Sequence, residues 1–349
     1  MVNDVCMTLH YQIHEIVPYI NWVYFFHAWG FPPRFAAIAD IHGCDVCRAT
    51  WLASFPVEDR ARAAEAMQLH KEALRMLTLL DSRLYRAHVR FGLFPCNSDG
   101  EDIIVHSDSE CIVHSDSECI VHSAEVHSDT FVGGNPESQQ SLCTMHSGTM
   151  HLKDTMHSST LSFLRQQTAP FLCLADFIRP LNQEGITDRI GIFAASADAA
   201  IEHAFEGEDD YRHLLCQTLA DRLAEAATER AHEAIRRIYW GYAAGEELSI
   251  ADLHAERFRG IRPAVGYPSL PDQSLNFDLD RLIDFSAIGI TLTEHGAMRP
   301  HASVSGLMLA HPDAHYFSIG RIGEDQLLDY AHRKGRTPEE MRPYLAANL

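Results

Sequence analysis

The sequence is short of basic side chains. Among its 349 residues there are 28 lysines and arginines but 48 aspartates and glutamates, which gives a formal net charge of −20 at pH 7. Nucleic acids and anionic membrane surfaces bind clustered basic residues, so this balance argues against both as partners. The sequence also lacks a run of about eighteen apolar residues, which argues against a transmembrane helix.

Signals for secretion, disulfide bonding and common nucleotide chemistry are missing as well. Residues 1–15 contain no basic segment followed by an apolar one, as a secretory signal would. The nine cysteines are odd in number and irregularly spaced, which is typical of reduced cytosolic thiols. No phosphate-binding loop, dinucleotide fingerprint, serine elbow or H-E-x-x-H motif occurs. We therefore expect a cytoplasmic protein whose chemistry does not use these motifs.

Hydrophobic periodicity predicts long helices together with short strands. Apolar residues recur about every 3.6 positions over 57–83 and 209–238, which indicates two long amphipathic helices. A third helix is predicted at 323–334, with Gly335 as its C-terminal cap. Strands are predicted within 91–105, where residues 97–100 form a turn, and at 170–178, 189–195, 290–294 and 303–309. Long helices mixed with non-alternating strands favour an α+β fold.

One segment departs from this pattern. The octapeptide HSDSECIV occurs at 106–113 and again at 114–121, and the whole of 106–160 is rich in Ser, His, Asp and Thr. Such a composition lacks the apolar side chains that offset the entropy of ordering. We predict a poorly ordered surface insertion at 106–160, within a single domain that spans 1–349.

Two short motifs suggest metal chemistry, but both are incomplete. Cys44 and Cys47 form a C-x2-C pair beside His42, without a second pair at a matching distance. Because a structural zinc site needs four ligands, we interpret them as plain thiols. Asp40-Ile41-His42 begins like the D-x-H-x-x-G motif of corrinoid-binding proteins, but Asp45 replaces the glycine. The sequence therefore predicts no metal site.

The most informative segment is GIRPAVGYPSLPD at 260–272. Its three prolines and two glycines exclude a helix or a central strand and indicate a stiff backbone path. On such a path Arg262 can present its planar guanidinium to a carboxylate, and Tyr267 can supply an aromatic face. Spacing alone favours a structural crossover loop with an ordinary surface arginine, and a ligand site is the alternative.

This loop belongs to a series of segments that point to a known family. The others are YINWVYFFHAWG (19–30), LFPCNSDGEDI (93–103), LRQQ (164–167), CLADFI (173–178), DDYRHLL (209–215), LADRLAEAATERAHEAIRRIYWGYA (219–243), GITLTEHGAM (289–298), SVSG (303–306), HPDAHYFSIGRI (311–322) and DQLLDYAHRKG (325–335). In order and spacing they resemble the reactivation domain of cobalamin-dependent methionine synthase, which binds S-adenosylmethionine. The similarity covers nearly the whole chain outside 106–160.

The resemblance implies a fold and a function. It implies a central twisted antiparallel sheet flanked by long helices. In this family the domain docks over inactive cob(II)alamin, and one electron from flavodoxin or a flavoprotein reductase, with a methyl group from S-adenosylmethionine, restores methylcobalamin. The chain is thus expected to act within a methyltransferase of methionine biosynthesis. It shows no folate, homocysteine or cobalamin module, so we expect the cobalamin on a partner domain or subunit.

The resemblance also implies a ligand site without a catalytic residue. Arg262 is expected to pair with the ligand's carboxylate, and Ala264 and Tyr267 are expected to line the groove. The remaining expected contacts are Tyr316, Phe317, Glu225, Glu256 and Asn21. By spacing alone, Glu225 would lie on a solvated helix face with Asp221 and Glu229.

The sequence departs from the family pattern at two places. Asn21 stands where many members have aspartate, so that position keeps a hydrogen-bond acceptor but lacks the charge. Residues 269–274 replace a segment that carries a histidine in the family. These departures leave two alternatives open, namely a docking module that has lost catalysis and an independent methyltransferase. For flavodoxin, a basic patch of Arg230, Arg236 and Arg237 is expected.

Overall fold

The computed structural model describes residues 5–107, 157–182, 185–207 and 209–349. The strands in these ranges are β1 (Val5–Gln12), β2 (Arg86–Asp99), β3 (Asp102–Ser107), β4 (His157–Ser162), β5 (Asp188–Ala197), β6 (Thr291–Leu292), β7 (Met298–Arg299) and β8 (Ser303–Met308). The α-helices are α1 (Ile13–Ile16), α2 (Trp22–Ala28), α3 (Asp45–Ala53), α4 (Arg60–Ser82), α5 (Asp210–Ala234), α6 (Ile250–His254), α7 (Leu275–Ile283), α8 (Glu324–Arg333) and α9 (Pro338–Met341). Short 3₁₀ turns connect several of them, and α5 continues into a π-helical turn at Ile235–Tyr239.

A six-stranded antiparallel sheet forms the centre of the molecule. Its order is β4-β3-β2-β5-β8, and β1 pairs with the first half of β2, from Gln12 opposite Arg86 to Val5 opposite Leu93. The long strand β2 therefore holds β1 and β3 along the same edge, one after the other, while β5 pairs along its other edge. The predicted α+β fold with a central antiparallel sheet is confirmed.

Both faces of the sheet are covered. Phe91 and Phe193 belong to a core that α4 and α5 cover, whereas Phe94 and Ile192 belong to a second core that α7 covers. Successive side chains of a strand point to opposite faces, so a strand between two cores is apolar throughout. This explains why residues 190–197 of β5 are all buried and why the sequence does not alternate there.

The long helices are confirmed where periodicity predicts them. Residues 57–59 form a 3₁₀ turn that leads into α4, and α5 occupies most of 209–238. At the end of α8, Gly335 has a φ of 64°, the left-handed conformation of a helix cap.

Two local predictions are wrong. The apolar run 170–178 forms a 3₁₀ turn at Leu174–Phe177, because the Asp176 carboxylate accepts a hydrogen bond from the Cys173 amide at 2.8 Å and closes the turn. The turn predicted at 97–100 begins later, since Asp99 still pairs with Asp102 across a two-residue hairpin. Gly100, at a φ of 63°, supplies the left-handed residue that such a hairpin requires.

Both ends of the segment 106–160, which is predicted as an insertion, belong to strands. His106 and Ser107 pair through the backbone with Ser158 and His157, so these residues extend β3 and β4. The predicted disorder of the rest concerns residues 108–156, which lie outside the described residues. Among the described residues, no helix combines the length and the apolar character needed to cross a bilayer.

Candidate functional site

The loop 260–272 runs beside the last strand of the sheet. Ile261 exchanges backbone hydrogen bonds with Leu309 at 2.9 Å, and the Leu307 amide donates to the Pro263 carbonyl at 3.0 Å. A Cβ on Gly306 would lie 2.2 Å from that carbonyl oxygen, so only glycine lets the loop approach so closely. The loop is neither helix nor central strand, as predicted, and its attachment to β8 fixes the direction of Arg262.

Arg262 extends from this loop to α5 and is largely buried. Its side chain is 16% exposed, and its Nη2 donates to Glu229 Oε2 at 2.5 Å. The side chain of Glu229 is only 8% exposed, so the prediction of a solvated face for Glu229 is wrong. Three alanines close to Glu229 are also buried, namely Ala226, Ala227 and Ala231. These small apolar residues are the sequence signal that could have indicated a buried position for Glu229.

The ion pair leaves polar atoms without partners. Arg262 Nε and Glu229 Oε1 are both buried, and neither has a hydrogen-bond partner among the described residues. His232, one turn further along α5, has an unpartnered Nε2, and burial holds its pKa well below the usual value. Because buried polar groups are nearly always hydrogen-bonded, such a cluster is typical of a site that a ligand or water completes.

Two further carboxylates stand near this pair. Glu225 accepts a hydrogen bond from the Tyr267 hydroxyl at 3.3 Å, and its charge raises the pKa of that tyrosine. Glu256 lies on the rim, where partial desolvation raises its pKa while the Arg262 charge lowers it. Three carboxylates therefore surround the Arg262 guanidinium, an arrangement that attracts a cation. Glu256 also has a φ of 55°, in the left-handed region that non-glycine residues seldom adopt.

Tyrosine rings form the open side of the site. Tyr316 accepts a hydrogen bond from the Arg262 amide at 3.0 Å, and its side chain is 37% exposed. Tyr267 is 53% exposed, although it is bonded to Glu225. Large rings held in place but left open to solvent are suited to stacking on a flat ligand. On the same side, Arg222 stands 6.0 Å from the centre of the exposed Tyr24 ring.

The remaining predicted ligand residues have other contacts. Ala264 bridges to Gly306 and so lines the loop beside Arg262. Phe317 packs against the ring of Phe177, in the second core. Asn21 caps α2 by accepting a hydrogen bond from the Val23 amide at 3.1 Å, and it lines a cavity of about 1340 Å³ beside α3 and α4. The structure thus brings together Arg262, Ala264, Tyr267, Tyr316, Glu225 and Glu256.

The segment that departs from the family pattern has a structural role. Asp272 is 1% exposed, and its carboxylate accepts hydrogen bonds from the Tyr330 hydroxyl at 2.7 Å and the Ser274 amide at 2.8 Å. These bonds tie the end of the loop to α8 and to the beginning of α7. Residues 269–274 therefore anchor the loop.

The predicted basic patch is wrong. Arg236 is fully buried and donates twice to Glu246, at 2.9 and 2.7 Å. Arg237 pairs with Glu233 at 3.0 Å, and Arg230 donates to the Glu15 carbonyl at 2.6 Å. Each of these charges therefore has a partner within the chain: Glu246 for Arg236, Glu233 one helical turn earlier for Arg237, and the end of α1 for Arg230. The three arginines consequently do not present a free cationic surface.

Taken together, the fold and the site define an α+β domain with a buried ion pair and open tyrosine rings beside a loop at the edge of its sheet. The chain belongs to the family described as vitamin B12 dependent methionine synthase, activation domain, whose model matches residues 12–129 and 139–335. Among solved structures, the chain is similar to a MetH reactivation domain bound to AdoHcy. The two are 31% identical with a TM-score of 0.74, and the similarity covers 99% of this chain and 90% of the other. The predicted family is therefore confirmed.

Proposed function

We propose that this domain binds S-adenosylmethionine at the Arg262 site and supports the reductive methylation of cob(II)alamin to methylcobalamin. The observation that carries the proposal is the buried Arg262–Glu229 pair, with its unpartnered Nε and Oε1 atoms beneath two open tyrosine rings. The similar MetH reactivation domain bound to AdoHcy supports a ligand of this class.

The charges of the site suit this ligand. S-Adenosylmethionine has one carboxylate, one ammonium group and one sulfonium group, so its net charge is positive. Arg262 would hold the carboxylate through charge-assisted hydrogen bonds. Glu225, Glu229 and Glu256 would stabilise the cationic groups, and Tyr267 and Tyr316 would supply aromatic contact. Because the site carries more negative than positive charge, it favours such a ligand over an anionic one.

Positioning is the contribution that the protein makes. When bound, S-adenosylmethionine supplies the methyl group, and cobalamin on a partner domain or subunit accepts it. The chain's own residues hold the ligand at one place and in one orientation, which removes most of the entropic cost of bringing two reactants together. Flavodoxin or a flavoprotein reductase is the proposed electron donor, and the reaction is proposed to take place in the cytoplasm.

Titration calorimetry with S-adenosylmethionine tests the binding site. Replacing Arg262 by lysine keeps the charge but removes the planar fork. Loss of a charge-assisted hydrogen bond costs about 1.5–3 kcal/mol, so affinity should fall roughly 10- to 100-fold. Arg281→Ala, on the exposed side of α7, is the matched control and should bind like wild type. Equal affinities for wild type and Arg262→Lys would contradict the proposal, and Arg262→Ala gives a second, larger perturbation.

A reactivation assay separates this function from that of a docking module. The domain is mixed with a cobalamin-bearing methionine synthase fragment in the cob(II)alamin state, reduced flavodoxin and S-adenosylmethionine. Methylcobalamin is followed by its absorption spectrum. Methylation that depends on Arg262 is the expected result. Binding of S-adenosylmethionine without methylation would indicate a docking module.

A further inference from the structure

A histidine and two cysteines meet at the beginning of α3. Cys44 is the N-terminal cap of this helix, and its sulfur accepts a hydrogen bond from the Cys47 amide at 3.3 Å. Helical geometry from the cap onward brings the side chain of Cys47 back toward Cys44. His42 precedes the cap by two residues and turns its ring to the same place. One imidazole nitrogen and the two sulfur atoms all lie within 4.8 Å of one another.

The size and chemistry of this group fit a zinc ion. Zinc binds thiolate sulfur at about 2.3 Å and imidazole nitrogen at about 2.0–2.1 Å in tetrahedral geometry, which places two sulfurs about 3.8 Å apart. The same geometry places nitrogen and sulfur about 3.5 Å apart, so the donor atoms need to approach by about 1.3 Å at most. His42 and Cys44 are exposed and Cys47 is half-buried, so side-chain rotation can supply this movement. Within the described ranges, this is the single group of three such side chains with donors this close.

The third donor distinguishes a metal site from a redox pair. Both cysteines are free thiols, and a C-x2-C pair at a helix N-terminus is also the arrangement of dithiol oxidoreductases. A dithiol needs only its two sulfur atoms, whereas here the His42 ring stands within reach of both. Imidazole with two thiolates is a donor set that zinc prefers, and it neutralises the charge of the ion.

We propose that His42, Cys44 and Cys47 bind one Zn²⁺ ion, with water in the fourth tetrahedral position. The sequence alone disfavours this reading, because it contains no second C-x2-C pair. A site of three protein ligands with an open fourth position does not need one. The ion would fasten the segment between the 3₁₀ turn Pro33–Asp40 and α3, where Gly43 and Asp45 line the same cavity as Asn21.

The test uses the full-length, reduced chain and metal salts alone. Zn²⁺ is titrated in competition with a chromophoric chelator, and Co²⁺ is used as the spectroscopic probe. Wild type should bind one zinc more than the triple variant His42→Gln/Cys44→Ser/Cys47→Ser. It should also give a thiolate-to-cobalt charge-transfer band and the visible bands of tetrahedral cobalt, both absent from the triple variant. Cys47→Ser alone should weaken zinc binding by at least about 10-fold, the lower end of what loss of an outer-shell partner costs.

A matched control addresses the other cysteines and histidines of the chain. Cys111→Ser/Cys119→Ser/Cys143→Ser removes three thiols from the His-rich segment and should leave the charge-transfer band unchanged. The proposal is overturned if the triple variant at 42, 44 and 47 retains the full zinc stoichiometry. It is equally overturned if the cobalt complex of wild type lacks thiolate bands, or if wild type forms a Cys44–Cys47 disulfide and takes up no metal after reduction.

Discussion

Replacement of Gly306 by alanine should displace the loop 260–272 without replacing any residue that is expected to bind the ligand. The new Cβ would lie 2.2 Å from the Pro263 carbonyl oxygen, and 2.9 Å from both Ala264 Cα and a ring carbon of Phe193. Atoms in ordinary contact are about 3.5 Å apart or more, so the loop has to retreat by about 1 Å. Gly306 lies in β8, whose pairing with β5 keeps the strand from yielding. The loop, with Arg262, is the part that moves.

This displacement should lower both the stability of the domain and its affinity for the ligand. Overpacking of a well-packed site costs about 1–3 kcal/mol, which should appear as a lower midpoint of urea unfolding with an unchanged slope. A misplacement of about 1 Å in a positioning group can cost about 100-fold in function. Affinity for S-adenosylmethionine should therefore fall by at least about 10-fold, a loss larger than for an equally destabilised variant elsewhere.

The assay pairs urea unfolding with titration calorimetry on protein shown to be folded. Gly245→Ala is the matched control, because a Cβ at Gly245 meets no atom within 4 Å. That variant should bind and unfold like wild type. If Gly306→Ala is destabilised but binds S-adenosylmethionine as wild type does, the loop is not positioned by its contact with β8, and the reasoning is wrong.

Two further predictions concern ionisable groups. Partial desolvation raises the pKa of Glu256 above 4.5, so the carboxylate is lost at a higher pH than in an exposed glutamate. As the pH is lowered, affinity for the cationic ligand should thus begin to fall before an exposed glutamate would be protonated. Glu256→Gln should show a flatter pH profile by calorimetry, and identical profiles would contradict this. Tyr330→Phe removes a hydrogen bond to the buried Asp272 carboxylate. It should lower the free energy of unfolding by about 1.5–3 kcal/mol, and an unchanged urea midpoint would show that the bond contributes nothing.

Hydrophobic periodicity predicted the helices that pack against the same core along their whole length. The helices α4 and α5 have apolar stripes that face one core, so their residues recur at the helical period. The strand prediction for 170–178 is wrong because a single side chain, Asp176, closes a turn there. A local hydrogen bond of this kind leaves no trace in hydrophobicity.

The candidate site likewise combines features that the sequence predicted with features that it did not. The loop's prolines and glycines were sufficient to exclude helix and central strand, and the family resemblance singled out Arg262. Glu229 was missed because its spacing from Glu225 and Asp221 is that of a solvated face. Its burial comes from the loop packed over α5, far away in sequence. The arginines at 230, 236 and 237 were misjudged for the same reason, since each partner lies on another turn or element.

By itself, the sequence determined the α+β class, the long helices, the family and the stiff loop, because each depends on local conformational preference or on order along the chain. Only the tertiary structure decided which charges are buried, which are paired and which remain available to a ligand. The free energy of a charge depends on the distance to other charges and on exclusion of water, and both quantities exist only once distant segments are packed together.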